Sequence, residues 1–145
     1  MLNPKAALIE VMAAVQQRGW CDGTGGNFSC VLQRDPLQLW MAPSGVDKGQ
    51  LQESELILVD GAGTVLEGSG KASAETLMHL AIVQYCNAGA VLHSHSQAGT
   101  LLSQWALSKG GLELSNLEML KGLEGIKSHA TSVLLPVLAN NQNLA

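Results

Sequence analysis

KASAETLMHLAIVQYCNAGAVLHSHS, residues 71–96, changes its periodicity partway along. Ser73 stands as a cap ahead of Thr76 and Leu77, and Leu77, Leu80, Ala81 and Tyr85 recur at helical spacing through Cys86. Asn87-Ala88-Gly89 ends that helix. Ala90-Val91-Leu92 then reads as a short buried strand delivering His93-Ser94-His95, and helix resumes from Ser96 to Ser108. On a strand, residues two apart share a face, so the two imidazoles can converge on one ion. Neutral imidazole is the commonest zinc ligand, and two of them fill half of a tetrahedral shell. His-x-His alone is a weak motif, with two unrelated polar residues at a strand end as the plain alternative.

Upstream, Leu8, Ile9, Met12 and Val15 lie at helical spacing between Pro4 and Gln17, and Gly19 provides a stop. Asp22-Gly23-Thr24-Gly25-Gly26-Asn27 is a turn-rich loop feeding a strand from Phe28 to Leu32. Further strands are expected at Leu37–Met41, Leu56–Asp60 and Thr64–Glu67, with turns at Ala42-Pro43-Ser44-Gly45 and Gly61-Ala62-Gly63. Downstream, Glu113 to Lys121 is ambiguous, and Val133 to Leu138 reads as a strand. Strands, then helices, then more strands predict an α/β layered fold in which a mainly antiparallel central sheet is covered by helices. A chain of 145 residues is long enough for one domain with a real core.

With 46% apolar and 14% charged residues the chain reads as a packed globular protein rather than a disordered one. A net charge of -4, with scattered basic residues, gives no electrostatic footprint for nucleic acid or anionic lipid, and favours a small-molecule partner. The first residues lack the pattern of a secretory signal, and no run of about 20 apolar residues offers a membrane helix. Cys21, Cys30 and Cys86 form no CxxC pair and read as small buried hydrophobes, so a cytoplasmic location is expected.

Glu75 and Glu118 are the carboxylates that could complete a site as ligand or proton carrier, although exposed helix surface would explain either one alone. Thr24-Gly25-Gly26-Asn27, Ser44-Gly45 and Ser73 supply hydroxyls, an amide and glycine N–H groups, the donors that cradle a phosphate without a basic patch. His79 and His129 read as packing or surface histidines rather than ligands.

Five segments, residues 23–29, 42–46, 71–76, 88–96 and 118–122, together resemble the class II aldolase/adducin family over nearly the whole chain, in order and with compatible spacing. The resemblance implies one zinc ion per subunit, with His93 and His95 as two of three zinc histidines. Glu118 matches the acid/base glutamate of dehydratase members. Glu75 falls where the aldolases carry a catalytic glutamate near the metal, and ranks below Glu118. The Thr24 to Asn27 loop, Ser44-Gly45 and Ser73 fall where members hold the substrate phosphate. Glu118-Met119-Leu120-Lys121-Gly122 favours a dehydratase of a phosphorylated sugar over aldolase or epimerase relatives, and a non-catalytic adducin-like interaction domain is a further alternative. A homotetramer is the assembly implied. Members continue past the point where this sequence stops, through a strand with the third histidine, so the fold is expected to be incomplete at the C-terminus.

Overall fold

The computed structural model describes residues 3–141, which fall into two compact units, one ending at Ser96 and the other beginning at Gln97. In the first unit, α1 (Pro4–Gln17) precedes a meander of strands β1 (Asn27–Arg34), β2 (Leu37–Met41), β3 (Ile57–Asp60) and β4 (Val65–Glu67), followed by α2 (Thr76–Cys86) and β5 (Ala90–His93). The strands form one sheet in the order β4-β3-β2-β1-β5, and every pairing is antiparallel. The expected layered fold with its antiparallel sheet is therefore present.

Alternation along the strands explains the layering. Phe28 and Cys30 of β1, Trp40 at β2 and Leu58 of β3 join Leu8 and Met12 of α1 in one core cluster. The intervening residues Leu39, Met41, Ile57 and Val59, with Val91 of β5, join Leu80 and Val83 of α2 in a second. The sheet is thus buried on both faces, one under each helix, because side chains two apart share a face. Proline at the first helical position and the Asn3 side chain, which accepts a hydrogen bond from the Lys5 N–H, start α1.

Two local expectations are corrected. Helix α2 begins at Thr76 with Glu75 in the cap position, and the Ser73 hydroxyl accepts the Glu75 N–H at 3.2 Å instead of capping the helix itself. Strand β5 is the edge of the sheet, so only Val91 is buried and Leu92 is half exposed. A continuous apolar run suggested burial on both sides, but an edge strand needs only one covered face.

The second unit holds α3 (Gln97–Ala106), a two-stranded antiparallel sheet of β6 (Gly111–Ser115) and β7 (Ser132–Pro136), and a single 3-10 segment, Glu118–Gly122, between them. The ambiguous stretch from Glu113 resolves as strand end followed by this turn of helix. No helix among the described residues is long and apolar enough to cross a membrane.

Candidate active site

The α2-facing side of β1 and β5 continues beyond the core as a polar row. Asn27 pairs with His93 across the two strands, placing both at the end of the sheet beside the start of α2. Oε2 of Glu75 accepts from His93 Nδ1 at 2.6 Å and also from the Asn27 side-chain amide. His95 lies just past the strand, where its N–H donates to the Trp20 carbonyl at 2.8 Å. Even so, its ring sits 4.5 Å from that of His93, centroid to centroid. The two imidazoles are together, as alternation requires, with the backbone bond to Trp20 taking over from the ladder.

The Glu75 contact settles the tautomer of His93. Nδ1 carries the proton it donates, so in the neutral ring Nε2 keeps its lone pair, the arrangement in which a carboxylate orients a metal-ligating histidine. No set of three His, Cys, Asp or Glu among the described residues could by itself hold a metal ion. The donor chemistry fits half a shell.

His79 was expected in packing or at the surface, and it is fully buried on α2. Its Nδ1 shares a hydrogen bond with the Ser29 hydroxyl at 2.8 Å, while Nε2 has no partner. Burial, with the neighbouring His93 adding to it and Glu75 opposing, lowers its pKa to about 4.

The expected phosphate donors belong to the first unit but are partly occupied. The Gly25 N–H donates to the Asp22 carbonyl and the Ser44 N–H to the Lys71 carbonyl, so these two amides serve the turns. Asn27 spends an amide hydrogen on Glu75. Gly26 is at φ +78°, and a Cβ there would lie 2.7 Å from the His93 carbonyl and 2.9 Å from Cys21 Sγ, so only glycine lets the loop pass this closely behind the histidine. Gly45, at φ +76°, faces open space. Sequence reasoning missed Lys48, whose ammonium is buried and donates to the carbonyls of Thr24 at 2.8 Å and Val46 at 3.0 Å. A single lysine in a Gly-Val-Asp-Lys-Gly turn carries no signal of burial.

Comparison with known proteins fits this geometry. The family described as Class II Aldolase and Adducin N-terminal domain matches residues 6–140. The chain belongs to the class II aldolase and adducin family. Among curated relatives, methylthioribulose-1-phosphate dehydratase of Methylococcus capsulatus is 44% identical over 140 residues, 96% of this chain and 66% of the relative. The enzyme of that name from Serratia proteamaculans is 39% identical over 96% of this chain and 67% of its own length. Among solved structures, an L-fuculose 1-phosphate aldolase superposes with a TM-score of 0.66 at 29% identity, covering 81% of this chain and 53% of that one. YgbL of Escherichia coli gives 0.62 at 33% identity, covering 68% and 47%. The chain spans about two thirds of the curated relatives and about half of these solved chains.

In this family member Glu118 belongs to the second unit, where its carboxylate is exposed and paired with Lys121 and, at 3.0 Å, with His129 Nδ1. His129 is thus an exposed partner of Glu118. Cys21 and Cys30 are buried, and burial pushes both thiols above the usual cysteine value, in keeping with inert packing. Cys86 is exposed, contrary to expectation; it is the last residue of α2, beyond the buried turns that carry Thr76, His79, Leu80 and Val83.

Proposed function

We propose that this chain is a zinc-dependent dehydratase converting 5-methylthioribulose 1-phosphate to 2,3-diketo-5-methylthiopentyl 1-phosphate, a cytoplasmic step of methionine salvage. The observation that carries the metal part is the Glu75 carboxylate on Nδ1 of His93 with the His95 ring alongside. The names of the curated relatives support methylthioribulose 1-phosphate as the substrate. His93 and His95 would hold the ion, the remaining positions falling to water or to residues beyond those described. When bound, zinc supplies electrophilic stabilisation of the negative charge that develops at the substrate ketone.

The protein's own groups carry the rest. Hydroxyls of Thr24, Ser44 and Ser73, with the Gly25, Gly26 and Gly45 backbone shaping the loops and Asn27 beside them, receive the phosphate. Glu118 is the acid/base that removes the proton from the carbon next to the ketone, after which the hydroxyl one carbon further along leaves as water. The resulting enol becomes the second ketone by proton transfer. Glu75 orients His93 and does not itself move a proton.

Purified chain supplied with zinc and 5-methylthioribulose 1-phosphate is expected to form the diketo product, and Glu118→Gln to lower the rate by about 10²-fold or more. Zinc held by His93 and His95 with no turnover would overturn the activity. The superposition on an L-fuculose 1-phosphate aldolase favours a second reading, an aldolase or epimerase for another sugar phosphate. A panel of pentulose and hexulose phosphates separates the two. Loss of zinc binding altogether would point to a non-catalytic, adducin-like role, and sedimentation would test the homotetramer.

A further inference from the structure

We propose that Lys48 is the buried cation of the phosphate site, a positioning residue whose ammonium ties the Thr24–Asn27 loop to the Ser44–Gly45 turn and biases both toward a phosphate dianion. The inference rests on the reading of those two segments as phosphate-binding. Its basis is a charge without a counter-charge. Lys48 is 2% exposed, and no carboxylate lies in ion-pair contact with it among the described residues. Its neighbour Asp47 spends Oδ1 on the Gly49 N–H at 2.9 Å and acts on the ammonium only through space, an effect smaller than that of burial. The two hydrogen bonds the ammonium makes go to uncharged carbonyls, that of Thr24 in the loop and that of Val46, the residue directly after the Ser44–Gly45 turn.

A buried ammonium with only carbonyl partners is costly, because carbonyl dipoles replace only part of its hydration. Burial accordingly pushes its pKa below the usual lysine value. Such a charge is an arrangement looking for an anion. The segments it joins carry the hydroxyls of Thr24 and Ser44 and the open turn at Gly45, the features suited to a phosphoryl group. Because Lys48 holds the carbonyls of Thr24 and of Val46, which adjoins the turn, one cation sets the spacing of loop and turn and supplies their potential. Direct contact with the phosphate is not required for either effect.

Titration calorimetry of the whole chain with inorganic phosphate tests this. Lys48→Met, which keeps the stem and removes the charge, is expected to bind phosphate about tenfold more weakly. Its zinc affinity and far-ultraviolet spectrum should be unchanged, which a general loss of structure would not leave intact. Equal phosphate affinity in Lys48→Met would overturn the proposal while leaving the phosphate reading standing. Failure of the unmodified chain to bind phosphate, with amide signals of residues 24–27 and 44–45 unmoved by NMR, would overturn that reading and the proposal with it. If Lys48→Met does not fold, the ammonium resonance of Lys48 in the unmodified protein decides. A shift at saturating phosphate supports the assignment, and an unmoved signal overturns it.

Discussion

At the scale of single residues, hydrogen bonding decides more than position in sequence. Residue type alone does not separate the acidic candidates Glu75 and Glu118, and the family resemblance ranks Glu75 second; the contact with His93 Nδ1 gives Glu75 a geometric role of its own. His79 shows the opposite problem. It sits on a helix whose residues 76–86 carry no charge, and nothing in the spacing distinguishes a buried histidine from an exposed one there. Its environment has a measurable consequence. Folding lowers its pKa from the ordinary histidine value to about 4, so between those two values the unfolded chain binds the extra proton. Stability contributed by neutral His79 is complete above about pH 6.5 and falls as pH drops toward 4, by on the order of 3 kcal/mol in all. Denaturant unfolding at pH 7 and pH 5 should therefore show a steeper loss for the unmodified chain than for His79→Gln. Parallel losses would refute the assignment.

At the scale of elements, most of the first unit was legible in advance. Apolar alternation and Gly/Pro turns placed β1 to β4, and the change from period 3.6 to period 2 at Asn87-Ala88-Gly89 placed the junction of α2 and β5. What alternation could not supply was pairing. That β5 is an edge strand beside β1, with Asn27 opposite His93, is a long-range fact with no local signature. The same gap hid Lys48, whose burial depends on Thr24 approaching from another segment. Gly26 is where pairing meets packing. The added methyl of Gly26→Ala would press on the His93 carbonyl, Cys21 and the Phe28 ring at a positive φ, so this variant should lose roughly 2–4 kcal/mol of stability. The loss should come with a weaker metal site, readable as reduced cobalt absorbance. A variant as stable and as metal-competent as the parent would show that the loop can retreat from β5.

At the scale of the molecule, the histidine pair and the candidate phosphate loops all belong to the first compact unit. Metal therefore tests the first unit directly. If zinc binds only the folded state, a concentration one hundred times its Kd adds about 2.7 kcal/mol. That gain raises the melting temperature by roughly 5–10 °C in a chain of this size. The rise should vanish with a chelator and in His93→Ala. An unchanged melting temperature in zinc would contradict a metal centre built on this pair.

The strand order carries a consequence in time. Strands β1 to β4 pair with their neighbours in sequence, across connections the longest of which is residues 42–56, whereas β5 reaches β1 only after the whole meander and α2 have been laid down. Closing the longer loop costs more chain entropy, and contacts of that kind form late on the folding path. Val91→Ala should then accelerate unfolding while leaving the refolding rate nearly untouched. The histidine pair would be the last part of the sheet to be assembled, and a nascent chain would acquire its scaffold before it could capture an ion.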